Sequence, residues 1–125
     1  MITITKKLDL PDTYPLDRIG PLSDLLFFDI ETTGFSGDTS NLYLIGCTYF
    51  QEGSWNLIQW FADTAAAEPE LLDSFFSFLE NYKILIHFNG DGFDIPYLLK
   101  RCRHLKKDYD FSNVASIDIY KTIRP

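Results

Sequence analysis

Cysteine is scarce in this 125-residue chain: Cys47 and Cys102 stand alone, without CxxC spacing and without clustering with the two histidines. That argues against a disulfide scaffold or a zinc centre and fits a reducing, cytoplasmic setting. Long apolar runs are also missing. No stretch approaches the roughly 18 residues that span a bilayer, and the N-terminal Met-Ile-Thr-Ile-Thr-Lys-Lys lacks the apolar core of a signal peptide. A soluble protein with no membrane partner is expected. Cations are few over most of the chain: residues 1–99 carry 4 Lys/Arg against 15 Asp/Glu, whereas residues 100–125 carry 7 against 3, for a net charge of -7. With a pI near 4.6, bulk charge excludes non-specific attraction to nucleic acid or acidic membranes, though not a specific site. There is no internal repeat or low-complexity segment.

What is present is apolar and aromatic. Hydrophobic residues make up 46% and aromatics 16% of the chain, enough to bury a core in one domain and to exclude disorder and coiled coil. Residues 1–24, with Pro11, Pro15, Gly20 and Pro21, read as an extended lead-in that contributes at most a short edge strand at Ile2 to Ile4. The packed domain is expected over 25–125. Leu25 to Glu31 is apolar on both faces until its acids arrive, as in the middle of a covered sheet. Leu42 to Phe50 and Trp55 to Phe61 follow as strands joined by a glycine-containing hairpin loop. Glu68-Pro69-Glu70 signals a helix start, and Leu71, Leu72, Phe75, Phe76, Phe78, Leu79 and Tyr82 form its apolar stripe. Lys83 to Phe88 is a fourth strand, Asn89-Gly90-Asp91-Gly92 a turn, Ile95 onward a second helix, and Ala115 to Tyr120 a fifth strand. The order β-β-β-α-β-α-β is mixed α/β.

Asp29 and Glu31 lie two apart on the strand expected at the centre, so both side chains leave one face. Burying like charges together costs several kcal/mol unless a cation intervenes, and hard ions such as magnesium or manganese suit carboxylate oxygens. A pair of acids finishing a solvated strand end is the alternative. Asp94 reads equally as a helix N-cap ahead of Pro96. Asn89 reads as a turn residue, with Gly90 and Gly92 as neighbours of positive φ.

In combination these residues acquire a second meaning. Phe28-Asp29-Ile30-Glu31-Thr32-Thr33-Gly34 resembles the first motif of the DEDD 3′-to-5′ exonuclease superfamily, and His87-Phe88-Asn89-Gly90-Asp91-Gly92-Phe93-Asp94-Ile95-Pro96-Tyr97-Leu98 resembles its second. The resemblance runs from about Leu25 to Ile119 and is closest to bacterial ribonuclease-H-like exonuclease-domain proteins. It implies a ribonuclease-H-like fold with a five-stranded mixed sheet whose first, fourth and fifth strands are parallel. It also implies two magnesium or manganese ions, with Asp29 bridging them, Glu31 on the nucleophile side and Asp94 on the other, and a DNA or RNA 3′ end as substrate. The backbone of Thr32, Thr33 and Gly34, with Asn89 and Phe93, would meet the terminal nucleotide, and Phe35 or Phe93 could stack on a base or serve the core.

The family's fourth acid, with a Tyr or His shortly before it, belongs to a helix after the fifth strand, ahead of which this chain ends. A C-terminally incomplete domain with reduced turnover is therefore expected, together with self-association through the sheet face that helix would cover. His104 and Asp108 follow Asp94 too closely to replace that motif, and Asp118 could stand near the site but reads first as a sheet-end acid paired with a nearby Arg or Lys. Lys100, Arg101, Arg103, Lys106 and Lys107 form either a solvated helix face or a phosphate track. Two other functions compete: a non-catalytic nucleic-acid-binding or scaffolding module of the same fold, and a haloacid-dehalogenase-like phosphatase. The second rests on a superficial D-x-D-x-T likeness at Asp29 to Thr33, in which Asn89 and Asp94 have no place.

Overall fold

The computed structural model describes residues 1–9 and 15–119; Pro11 in the lead-in and the end of the chain from Tyr120 lie outside them. Eight principal elements follow in order: β1 (Ile2–Lys7), β2 (Leu25–Thr32), β3 (Leu42–Gln51), β4 (Ser54–Phe61), α1 (Glu68–Leu79), β5 (Ile84–His87), α2 (Asp94–His104) and β6 (Ala115–Asp118). They build one mixed sheet ordered β1-β4-β3-β2-β5-β6. β2, β3, β4 and β1 are antiparallel neighbours, whereas β5 runs parallel to β2 and β6 parallel to β5. The three expected parallel strands are thus β2, β5 and β6. The sheet has six strands rather than five because the N-terminal segment continues through Lys7 and pairs along the whole outer edge of β4, from Ile2 opposite Phe61 to Lys7 opposite Asn56.

Period-two alternation explains β2. Leu26, Phe28 and Ile30 are buried towards the helices, while Asp29 and Glu31 emerge exposed on the opposite face. In α1, spacings of three and four bury Leu71, Leu72, Phe75, Phe76 and Leu79. Phe75 stacks on Phe28 at 5.6 Å between ring centroids and meets Trp60 edge-on at 6.4 Å. Burying a ring of this size stabilises by about 1.5–3 kcal/mol. Tyr82, expected on the helix, lies past its end and joins Tyr49 and Phe78 instead.

The connection after β2 turns to β3 on one side, and the connection after β5 leads towards β6 on the other. Between them the carboxyl ends of β2 and β5 leave a crevice, the position at which open α/β sheets bind ligands. Both sequence motifs end there.

Candidate active site

Asp29 and Glu31 reach the crevice from β2. The ladder with β3 is regular from Leu26 to Glu31 and slips between Glu31 and Thr32, where Glu31 faces Leu44 and Thr32 faces Leu42. That irregularity turns the chain into the 33–41 loop. Thr32 Oγ1 donates to the Gly34 carbonyl at 2.7 Å, and the Asn41 amide donates to Thr33 Oγ1 at 2.9 Å. The two threonine hydroxyls thereby shape the loop. Ser40, buried, donates to the Ser36 carbonyl at 2.6 Å and lies 2.7 Å from the Tyr97 hydroxyl, which fastens the loop to α2.

Asp94 enters from the other side. It is not the helix N-cap: that position belongs to Phe93, which makes no side-chain capping bond, and Asp94 is the first helical residue. Only 7% exposed, its carboxyl is pushed up from an ordinary 3.8 to about 7, first by burial and then by the charges of Asp29, Asp118 and Glu31. The desolvation cost that the sequence assigns to the central-strand pair therefore falls on Asp94, because Asp29 and Glu31 face solvent.

The turn between β5 and α2 sets that placement. Asn89 takes φ 58°, whereas Gly90 and Gly92 do not have positive φ. The glycines are needed for space: a Cβ at Gly90 would stand 2.6 Å from His87 Cγ, and one at Gly92 2.8 Å from Asn89 Oδ1. Gly90→Ala is accordingly expected to cost about 1–3 kcal/mol of stability through overpacking, measured by denaturant titration; an unchanged midpoint would mean that the turn yields freely. Phe93 is half-buried between Tyr97, at 5.4 Å, and the outlying Phe35, at 6.5 Å and 95% exposed.

The basic stretch divides: Arg103 and Lys106 are exposed and Lys100 and Lys107 half-buried, whereas Arg101 leaves that face. Arg101 is buried and grips Glu68 through Nε at 2.7 Å and Nη2 at 2.6 Å, while Nη1 donates to the Gly37 carbonyl at 3.0 Å. Lys100 and His104 both reach Asp38, and Lys107 reaches Asp73. Asp118, expected to serve a surface ion pair, is buried at the end of β6, and its carboxylate accepts the amides of Asn89 and Asp91. Nothing in the local sequence pairs Glu68 with Arg101 or Asp118 with the turn, since both associations join residues about thirty apart.

An antiparallel meander continued by parallel βαβ strands, with acids gathered at the carboxyl ends of β2 and β5, defines a ribonuclease-H-like domain. The RNase H superfamily model matches residues 26–125, and the chain belongs to that superfamily. Among curated relatives, the DNA polymerase of Thermococcus aggregans is 33% identical over 90 residues, covering 65% of this chain and 5% of the relative. DNA polymerase 1 of Sulfurisphaera ohwakuensis is 44% identical over 43 residues, 34% of this chain and 5% of that protein. The chain thus spans about a twentieth of the length of these relatives. The family B DNA polymerase of Pyrobaculum calidifontis superposes with a TM-score of 0.67 at 18% identity, over 81% of this chain and 16% of that one, and shares the fold. Among the described residues, no helix is long and apolar enough to cross a membrane.

Proposed function

We propose that this domain is a metal-dependent 3′-to-5′ exonuclease that hydrolyses phosphodiester bonds at a nucleic-acid end, with Asp29, Glu31 and Asp94 as its catalytic carboxylates. One observation carries this reading: Asp94 is buried within electrostatic reach of both β2 acids, a concentration of negative charge that a structural role does not call for. The donor set is made of carboxylate oxygens, which suits magnesium or manganese better than zinc. Asp29, Glu31 and Asp94 would hold such ions, which supply charge stabilisation at phosphorus and lower the pKa of an attacking water. The chain's own contribution is positional. β2 presents two acids side by side, α2 adds the third, and the loop at Thr32, Thr33 and Gly34 with Asn89 and Phe93 borders the room left for a terminal nucleotide.

Phe35 stands 95% exposed beside Phe93, as an aromatic stacking platform for a base would. Phe35→Ala is expected to raise the KM for a single-stranded oligonucleotide by about 5- to 160-fold, since stacking contributes about 1–3 kcal/mol per base; an unchanged KM would remove Phe35 from the binding surface. The sheet face away from the helices carries Phe27, Leu44 and Leu57 around an open depression of about 330 Å³ beside Asp29 and Glu31. Self-association is expected through that face, and a compact monomer by light scattering would count against it.

The decisive experiment follows release of labelled 3′ nucleotides from single-stranded DNA and RNA with magnesium or manganese. Asp29→Asn should reduce release by more than about 100-fold, the upper end of what even outer partners of a metal site cost. No release by the wild-type chain, with binding unaffected by the substitution, would favour a non-catalytic binding module of the same fold.

A further inference from the structure

The turn from Asn89 to Phe93 is held from β6 as well as from its own strand. The Asn89 amide donates to Asp118 Oδ1 at 2.7 Å and the Asp91 amide to Oδ2 at 3.3 Å. Between them, the Gly90 amide donates to His87 Nδ1 at 3.0 Å. With Nδ1 accepting, the imidazole proton lies on Nε2, which is 2.5 Å from Ser116 Oγ on β6. Three consecutive amides are thus directed at two buried side chains that face each other across the β5–β6 ladder, His87 opposite Asp118. The Gly90 carbonyl then accepts the Ile95 amide at 2.8 Å, and the Asn89 carbonyl accepts those of Gly92 and Phe93 at 3.2 and 3.1 Å. The first turn of α2, which carries Asp94, is suspended from that anchored turn.

We propose that Asp118 is a positioning residue: it fixes the Asn89–Asp91 backbone and through it sets where Asp94 stands in the site. The proposal rests on the reading of Asp94 as a metal ligand. Each Asp118 oxygen accepts an amide proton, and this hold on the turn acts on a bound ion through Asp94. Outer partners of this kind typically change metal affinity 10- to 100-fold when removed.

The test measures manganese binding to the full chain, from the loss of the free-ion electron paramagnetic resonance signal, in the wild type, Asp118→Ala, Asp118→Asn, Asp94→Asn and the Asp118→Ala/Asp94→Asn double variant. Amide hydrogen exchange over residues 89–93 is followed in parallel. Asp118→Ala is expected to weaken manganese binding by about tenfold or more and to speed exchange of the Asn89 and Asp91 amides. Asp118→Asn, which keeps an acceptor for Asn89, should lie between it and the wild type. In the Asp94→Asn background the alanine substitution should weaken binding no further. Equal affinities for wild type and Asp118→Ala would overturn the proposal. So would an additive loss in the double variant, which would make Asp118 a direct ligand. A wild-type chain that binds no manganese would overturn the metal-site reading and the positioning role together, a result distinct from either.

Discussion

Replacing Arg101 by Met is expected to destabilise the domain by about 3–5 kcal/mol, because it strands the Glu68 carboxylate in the interior. Glu68 is 1% exposed, and the guanidinium covers both of its oxygens at 2.6 and 2.7 Å. The remaining donors, the Leu42 amide and the Asn41 side-chain amide, both at 3.1 Å, supply dipoles but no countercharge. The pair need not be stabilising in itself, since buried ion pairs are often matched by apolar substitutes; the penalty comes from leaving one charge alone. Glu68→Gln combined with Arg101→Met should therefore be more stable than Arg101→Met alone. Urea titrations of the two variants against wild type measure both effects. A loss under about 1 kcal/mol for the single variant would place Glu68 in contact with solvent. The consequence extends to the site, because Arg101 also holds the Gly37 carbonyl and so the loop that follows Thr32.

The second expected result concerns pH. The Asp94 carboxyl is at about 7 in the folded chain against an ordinary 3.8, so the folded state binds its proton more tightly than the unfolded state. The stability contributed by that proton is fully present below about pH 4 and is lost as pH rises through about 7. At about 1.4 kcal/mol per pH unit, the loss reaches roughly 4 kcal/mol by pH 8 without metal. Asp94→Asn carries no such charge. In chelator the variant should be more stable than wild type at pH 8 by up to about 4 kcal/mol and nearly equal to it at pH 4. Magnesium or manganese should narrow the gap at pH 8 by stabilising wild type more than the variant. Identical unfolding midpoints for the two proteins across this range would show that Asp94 does not bear the charge burden of the site.

Parts of this arrangement are legible along the chain. The alternation in β2 is enough to put Asp29 and Glu31 on one face, and the stripe of α1 is enough to direct Phe75 and Phe76 inward, because strand and helix periods are properties of the local backbone. The glycines at 90 and 92 announce a turn. Their reason does not follow from the residue type, which suggests positive φ; the space is filled by His87 and Asn89, and Asn89 takes the left-handed conformation. Asp94 shows a similar divide. As an isolated residue ahead of a helix it has the character of a cap, yet one step of register makes it the first helical residue and turns its carboxyl towards other acids.

By itself the sequence determined the element types, the core-facing residues of β2 and α1, and two motifs whose acids suit a hard cation, since these follow from composition and from spacing over a few residues. Only the tertiary structure decided that Ile2 to Lys7 closes the far edge of β4, that Asp94 bears the burial cost, that Arg101 leaves its basic neighbours to pair with Glu68, and that Asp118 anchors the turn before α2. Each depends on residues far apart in the chain meeting in a place from which water is excluded, where a charge or an amide must find a partner that no local pattern names.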